Sequence, residues 1–223
     1  MNQTDLIKKK YDDYKSSPTV ARNSTYTLYI NEIVQERQNI YSQIISSRHT
    51  KPEDIQFLEA GAGEGANLHF FRSIGIKDKN IYANELLEDR VKELAANFKN
   101  INIYPGDALQ LNFKDKFDIV FQSTVFTSIL DLNFKKQLAA KLWDMTKPEG
   151  IILWYDFMYN NPRNKAVKGI NKKEIRLLFD DSTHIDFYKV TLAPPIGRRL
   201  QKLYSFLNRF SFLRTHIIAV IHK

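Results

Sequence analysis

The sequence contains no cysteine. Without thiols the chain forms no disulfide, offers no thiolate nucleophile and cannot supply the cysteine ligands of an iron–sulfur cluster. Internal repeats and low-complexity segments are absent as well, and 43% of the 223 residues are hydrophobic. This composition suits one α/β domain with a well-filled core, plus extensions.

Long apolar runs are also missing. No stretch reaches the length of a membrane span, and the segment Met1–Lys10 has no apolar core of signal-peptide length. From these two features we expect a cytoplasmic protein.

Acidic residues are absent from one end of the sequence. From Phe187 to Lys223 there is no Asp or Glu, whereas seven Lys and Arg side chains fall in this segment of a chain whose net charge is +8. A basic segment of this kind can face nucleic acid, an anionic membrane or a phosphorylated substrate, or it can form an ordinary solvated surface. The sequence leaves these alternatives open.

A glycine-rich turn follows the apolar strand that starts at Phe57. Such a turn lets the backbone approach a ligand closely, and Gly61-x-Gly63-x-x-Ala66 also fits a loose dinucleotide fingerprint. Glu59 decides between the two ligand classes, because its carboxylate would repel a pyrophosphate and attract a cationic ligand. The pattern therefore favours S-adenosylmethionine, which carries an ammonium and a sulfonium.

Three further segments read as strands with polar ends. Ile81–Glu85 ends in a carboxylate at the distance where a ribose-binding acid belongs in a βαβ fold. Ile101–Ala108 ends in Gly-Asp-Ala, and Phe117–Ser123 forms a fourth strand. This order resembles the class I S-adenosylmethionine-dependent methyltransferases over roughly residues 53–223.

The resemblance implies an α/β fold with a Rossmann-like seven-stranded sheet whose last strand is antiparallel. It also implies S-adenosylmethionine as the cofactor. At the matching positions, the methionine part would be bound by Glu59, Gly61 and Gly63, and the ribose by Glu85. The adenine would be bound by Leu86, Asp107 and Ala108. Gln122 is expected at the methionine end. The alternative is that Glu85 and Asp107 only cap helices or turns.

Apolar periodicity places the remaining elements. We expect helices over Ser24–Ser46, Gly65–Ser73, Glu88–Phe98, Phe134–Met145 and Asn171–Phe179, and later strands over Gly150–Phe157, Phe187–Leu192 and Thr215–His222. Residues 1–50 then form an N-terminal helical extension or cap. Residues 51–223 form the methyltransferase domain, with a helical insert at 193–215 between strands six and seven.

The insert has apolar residues at helical spacing with basic residues between them. We therefore expect one basic amphipathic helix over residues 198–214. It either docks on the domain by its apolar face or makes a peripheral contact with an anionic membrane at its inner face.

A catalytic base is optional for methyl transfer and matters most when the acceptor is a hydroxyl. In this topology Asp156 and His216 should lie at the mouth of the site, with His184 as a third candidate. Asp156 ends a buried strand, where a carboxylate is costly unless it is used or paired. His216 serves equally well as a packed strand residue.

Several subclasses are excluded or disfavoured. Cytosine-C5 enzymes need a cysteine, and amino-methylating enzymes carry an Asn/Asp-Pro-Pro-aromatic turn where this chain reads Gln122-Ser123-Thr124-Val125-Phe126. Catechol-type enzymes use acidic residues there to hold magnesium. We therefore expect a reaction without a metal.

A narrower resemblance rests on Trp154–Asn164 and on Leu192–Leu200 with Leu213–His216. These segments look like methyltransferases encoded with bacterial surface-polysaccharide (O-antigen or capsule) genes, which implies a glycan, nucleotide-sugar or lipid-linked sugar acceptor. Asn161, Arg163 and Asn164, beside Asn160, would bind its polar groups. The alternative is that these residues only form a polar connecting loop.

Three other functions stay open. An RNA methyltransferase is disfavoured because no RNA-binding module is appended. An enzyme acting on another small molecule, or a non-catalytic cofactor-binding partner, would have the same fold. The identity of the sugar, the atom methylated, the use of a base and the oligomeric state are not determined by the sequence.

Overall fold

The computed structural model describes residues 4–6, 8–9, 27–161 and 164–223. Its seven strands form one sheet in the order β3-β2-β1-β4-β5-β7-β6. Only β7 runs antiparallel to its neighbours, which confirms the predicted fold. The strands are β1 Phe57–Ala60, β2 Ile81–Glu85, β3 Asn102–Pro105, β4 Phe117–Ser123, β5 Thr146–Phe157, β6 His184–Leu192 and β7 Arg214–His222.

Helices cover both faces of this sheet. The α-helices are α1 Thr27–Arg48, α2 Leu68–Ser73, α3 Glu88–Asn97, α4 Leu132–Met145, α5 Lys172–Leu178, α6 Pro194–Arg199 and α7 Tyr204–Leu207. Short 3-10 turns lie at Pro52–Asp54, Asp78–Asn80, Ala108–Gln110, Phe126–Ser128, Gln201–Leu203 and Ser211–Leu213. None of the helices within the described ranges is both long enough and apolar enough to cross a membrane.

Alternating side chains of each strand enter two separate cores. Phe57 and Phe121 belong to the core beneath α1, α2 and α3, whereas Leu58 and Val120 belong to the core beneath α4 and α5. Because both faces are buried, the central strands are almost wholly apolar. Helix α1 shares the first core through Tyr41, whose ring lies 5.4 Å from that of Phe121. The division of the chain near residue 50 stays a prediction.

Two helices begin away from their predicted positions because of local backbone chemistry. Helix α2 starts at Leu68, since Gly63 and Gly65 have φ of +58° and +89° and cannot continue a helix. A Cβ on Gly65 would also lie 2.4 Å from the Phe98 ring. Helix α4 starts earlier than predicted, because the Asp131 side chain accepts a 2.7 Å hydrogen bond from the Phe134 N–H and caps it.

The insert between β6 and β7 is helical but does not form the single helix predicted over residues 198–214. At Leu200 the backbone leaves the helical conformation (φ −115°, ψ 44°), and the chain continues as α7 and 3-10 turns. The break lets Ile196 and Tyr204 both pack with Tyr29 of α1, in a small third core. Gly197 lies so close to the Tyr29 ring that a Cβ would be 2.2 Å from it. Packing on α1 therefore overrides the helical periodicity.

Candidate functional site

A cleft opens at the carboxyl edge of the parallel strands, where the ends of β1, β2, β3 and β4 meet. Five of the eight predicted cofactor-binding residues line it: Gly61, Glu85, Leu86, Asp107 and Ala108. Glu59 and Gln122 are fully buried at the adjoining strand ends. The Gly63 N–H donates to Glu85. The structure thus brings this set together at one strand edge.

One carboxylate oxygen of Glu59 is unsatisfied among the residues that the structure describes. Its Oε1 accepts a 2.8 Å hydrogen bond from the Asn67 amide, whereas Oε2 is buried and has no hydrogen-bond partner in those residues. Burial raises the pKa of Glu59 to about 8, with a smaller contribution from the charge of Glu85 and with the Asn67 hydrogen bond acting in the opposite direction. A buried carboxyl oxygen without a partner of its own calls for a polar group from a ligand. The ammonium of a methionine group would supply one.

Glu85 connects the glycine turn to the end of β2. Its two oxygens accept hydrogen bonds from the Gly63 N–H at 2.7 Å and the Leu87 N–H at 2.8 Å. Each carboxylate oxygen has a further lone pair for a ligand hydroxyl. Glu85 therefore orders the turn and remains able to accept from a ribose.

Asp107 has a similar double role. Its Oδ1 accepts from the Leu109 N–H at 3.0 Å and caps the Ala108–Gln110 turn, while its part in cofactor binding stays a prediction. Its Oδ2 accepts a 2.9 Å hydrogen bond from the Thr4 hydroxyl. Thr4 also lines the cleft, although no motif in the sequence indicated it.

The walls of the cleft suit a flat purine and a ligand that approaches the protein backbone closely. Gly61 has φ of +73°, and a Cβ there would lie 2.5 Å from a Val125 methyl group. Apolar side chains also line the cleft: Leu87, Val125, Ile129, Phe134 and Leu138. With the orphaned oxygen of Glu59 and the acceptors at Glu85, this geometry fits S-adenosylmethionine.

Asp156 lies in a buried polar network. Its Oδ1 accepts a 2.6 Å hydrogen bond from the Thr127 hydroxyl, and its Oδ2 accepts from the Gln122 amide at 3.3 Å. The Gln122 carbonyl oxygen in turn accepts from the Val125 N–H at 3.1 Å. Burial raises the pKa of Asp156 to about 7, despite these hydrogen bonds. The predicted roles of Asp156 in catalysis and of Gln122 in cofactor binding stay predictions.

His216 lies on the opposite face of the sheet from Asp156. Its ring stacks on Tyr155, with centroids 5.3 Å apart and planes 12° apart, and its Nδ1 lies 3.0 Å from the Thr215 hydroxyl. Burial and the nearby charge of Arg37 lower the pKa of His216 to about 4. The imidazole is thus neutral at physiological pH and able to accept a proton. Its catalytic role stays a prediction.

Arg37 of α1 is a candidate residue that the sequence reasoning missed. Its guanidinium lies 4.4 Å from the centre of the Tyr155 ring, and its buried Nε has no hydrogen-bond partner among the described residues. One signal for it was present. Ile33, Arg37 and Tyr41 share one face of the helix, so a cation interrupts an apolar stripe.

Thr191, at the end of β6 and beside Tyr155, shows local backbone strain. Its φ of +63° is unusual for a β-branched residue. The Glu36 carboxylate accepts its N–H at 2.9 Å, and its hydroxyl lies 3.1 Å from that of Tyr155. These contacts hold the strand end against α1.

The predicted acceptor loop follows β5. The Asn160 and Asn164 side chains accept hydrogen bonds from the Gly169 and Ala166 N–H groups, at 3.0 Å each, and so shape the loop. Asn161 is exposed, and Arg163 lies outside the described residues. The substrate-binding roles of Asn161, Arg163 and Asn164 stay predictions.

His184 lies at the opposite edge of the sheet, where β6 begins, and its Nε2 is 2.9 Å from Asp186. It therefore takes no part in the cleft. Among the described residues no group of three or more His, Cys, Asp or Glu side chains is placed to hold a metal ion.

Comparison with known proteins finds a domain family that is similar to part of the chain. Residues 58–154 match a family model described as a methyltransferase domain. A malonyl-[acyl-carrier protein] O-methyltransferase from Calditerrivibrio nitroreducens is 26% identical over 148 residues, which is 66% of this chain and 56% of that protein. The chain thus spans little more than half the length of this relative.

Two solved structures share the fold. One is a SAM-dependent methyltransferase from Archaeoglobus fulgidus, with a TM-score of 0.61 and 13% identity over 83% of this chain and 94% of that one. The other is an S-adenosylmethionine-dependent methyltransferase from Mesorhizobium loti. It has a TM-score of 0.61 and 12% identity over 81% of this chain and 96% of that one.

Together, the domain match and the geometry of the cleft are consistent with the predicted enzyme class and cofactor. The resemblance to surface-polysaccharide enzymes receives no support from these matches and stays a prediction.

Proposed function

We propose that this class I S-adenosylmethionine-dependent methyltransferase methylates a hydroxyl oxygen of a polyhydroxyl acceptor, a sugar of a bacterial glycan or of its precursor. The observation that carries the proposal is the position of the His216 imidazole, which stacks on Tyr155 and pairs in register with Phe157 at the carboxyl end of β5. A sugar hydroxyl must lose its proton during or after attack, and a neutral imidazole can take that proton.

We assign the proton of the neutral His216 ring to Nδ1, which lies 3.0 Å from the Thr215 hydroxyl. In this tautomer the Nδ1–H donates to the hydroxyl oxygen, and the hydroxyl donates to the Thr191 carbonyl at 3.4 Å. The proton on Nδ1 leaves a lone pair on Nε2. Nε2 is then the atom that accepts the proton of the acceptor hydroxyl.

Other residues of the cleft bind and orient. Glu59 pairs with a cationic group, Glu85 accepts hydroxyl donors, and Asp107 with its apolar neighbours receives a purine. S-adenosylmethionine, when bound, supplies an electrophilic methyl group whose transfer needs no acid at the leaving sulfur. Catalysis by the chain therefore rests on alignment, exclusion of water and removal of one proton.

A second candidate acceptor is a carboxylate, and Arg37 favours it. The Arg37 Nε–H, which has no partner within the described part of the chain, lies beside the proposed base and can bind an anionic group. A carboxylate oxygen attacks without a base. The Calditerrivibrio relative is named as an O-methyltransferase of a malonyl group on an acyl-carrier protein. A carboxylate acceptor would require Arg37 rather than His216.

The deciding experiment is incubation with labelled cofactor and a panel of nucleotide sugars, lipid-linked glycans, finished polysaccharide and carboxylic acids, followed by mass spectrometry. A methyl ether survives mild alkali, whereas a methyl ester is hydrolysed. If the label is stable to alkali and is lost in the His216→Ala variant, the hydroxyl proposal is supported. Alkali-labile label that Arg37→Ala abolishes overturns it in favour of a carboxylate.

The remaining alternatives have their own tests. Cofactor binding without transfer to any member of the panel would support a non-catalytic partner. Salt-dependent binding and methylation of RNA would support an RNA substrate.

A further inference from the structure

The insert between β6 and β7 exposes an apolar surface, which we call the insert ridge. Its members are large side chains that are between 42% and 75% exposed: Leu200, Leu203, Phe206, Phe210 and Phe212. The rings of Phe206, Phe210 and Phe212 follow one another with centroids 5.8 Å apart. Three neighbouring exposed rings differ from scattered surface hydrophobics and mark an interaction site.

The ridge is separate from the side of the insert that packs on the domain. Tyr204 is buried, and Leu207 lies partly buried beside it in the core with Tyr29. The insert is therefore already docked by one set of apolar residues. The exposed set is not needed for that docking, so its exposure calls for another partner.

The charge around the ridge indicates what that partner is. Arg199, Lys202 and Arg209 are exposed within the same insert, and no Asp or Glu occurs from Phe187 to Lys223. Arg214, by contrast, donates to the Asn208 and Lys189 carbonyls and serves the fold. Exposed aromatic side chains in a segment whose charged residues are all cations match an anionic lipid surface, where rings enter the interface and cations meet headgroups.

We propose that the insert ridge docks the enzyme on an anionic membrane surface. The insert connects the ends of β6 and β7 at the carboxyl edge of the sheet, beside His216. Docking by the ridge therefore holds the mouth of the active site near the lipid interface. The inference does not depend on which acceptor is methylated.

Vesicle flotation of the full chain tests the proposal. The probes are vesicles of phosphatidylcholine alone and of phosphatidylcholine with phosphatidylglycerol, each at low and high salt. We expect flotation with the anionic vesicles at low salt, weaker flotation at high salt, and none with neutral vesicles. Arg199→Glu/Lys202→Glu should lower the apparent affinity at least about tenfold, and Phe206→Ser/Phe212→Ser should lower it similarly.

The matched control is Lys173→Glu/Leu177→Ser on α5, which changes an exposed cation and an exposed leucine on the opposite face of the sheet. This variant should float like the native chain. Circular dichroism and cofactor affinity establish that every variant is folded.

Three outcomes would overturn the proposal: no flotation with anionic vesicles at low salt, equal flotation with neutral vesicles, or an equal loss in the control. If the chain does not bind vesicles but forms a dimer, and Phe206→Ser/Phe212→Ser dissociates that dimer, the ridge binds a second copy of the chain instead.

Discussion

The hydroxyl of Thr127 donates a 2.6 Å hydrogen bond to the carboxylate of Asp156, on the face of the sheet opposite His216. The two side chains considered as bases are thus in different settings. Asp156 is fully buried among hydrogen-bonding partners, whereas His216 is half-buried against an aromatic ring. Their pKa values are displaced in opposite directions, so pH dependence can separate them.

The first prediction concerns the pH profile of turnover. If the His216 imidazole, with its pKa lowered to about 4, accepts the proton, kcat should be nearly constant from pH 8 to about 5 and fall only below that. A base at Asp156, with its pKa raised to about 7, would halve kcat near neutral pH. Steady-state kinetics across this range at saturating cofactor measures the difference.

Substitutions complete this test. His216→Ala should keep cofactor affinity and lose on the order of 10²-fold in kcat, while Asp156→Asn keeps most of the activity. Native turnover in both variants would mean that alignment alone drives the reaction. A large loss in Asp156→Asn together with a pH midpoint near 7 would move the base to Asp156.

The second prediction is that cofactor binding releases a proton from Glu59. With its pKa raised to about 8 by burial, Glu59 holds a proton at pH 7 in the free enzyme. A bound ammonium lowers that pKa, so the proton leaves on binding, and affinity rises with pH up to about 8 before levelling. Calorimetry in two buffers of different ionisation enthalpy measures the release.

Glu59→Gln is the control, because it separates the Glu59 proton from any titration of the ligand itself. We expect fewer protons released and weaker binding in this variant. The same proton release in the native and Glu59→Gln proteins would contradict the assignment.

The third prediction concerns Glu85. Glu85→Ala removes a charged acceptor for the ribose hydroxyls, and hydrogen bonds to charged groups contribute about 1.5–3 kcal/mol each. Cofactor affinity should therefore fall at least about tenfold. Glu85→Gln keeps one acceptor oxygen and should lose less.

Because Glu85 also holds the Gly63 and Leu87 N–H groups, the unfolding curve of each variant must be recorded beside the calorimetry. Native affinity in a folded Glu85→Ala protein would show that Glu85 only shapes the turn.

Sequence patterns were sufficient for features that depend on neighbouring residues. The strand ends at Glu59, Glu85 and Asp107 follow from apolar runs and glycine turns, and parallel strands necessarily bring such ends to one edge. The antiparallel β7 came from the family resemblance rather than from the pattern itself.

Features that depend on distant packing were not predictable. Helical spacing in residues 198–214 fits one helix, yet the Tyr29 ring against Gly197 and the buried Tyr204 break it. The contact between Thr4 and Asp107 joins residues 103 positions apart and has no local signature. Arg37 was visible only as a cation on an apolar stripe, and its target, Tyr155, is far along the chain.

The last prediction concerns Glu36, which fastens the insert to α1. Its carboxylate accepts three hydrogen bonds, from the Thr191 N–H at 2.9 Å, the Tyr204 hydroxyl at 2.7 Å and the Asn208 amide at 2.7 Å. Glu36→Gln places an amide donor against one of these donors. The free energy of unfolding should fall by roughly 1–3 kcal/mol, because a partly buried donor then loses its acceptor.

The Glu36→Gln substitution should also loosen the insert locally, in addition to lowering the stability of the whole protein. Trypsin should cut the Glu36→Gln protein faster at Lys202 and Arg209, since cleavage requires the insert to leave α1 and open its backbone. Glu32→Gln removes the same charge one turn earlier on α1 and serves as the control, with native unfolding and digestion expected. If Glu36→Gln also unfolds and digests like the native chain, apolar packing around Tyr204 and Tyr29 holds the insert without the carboxylate.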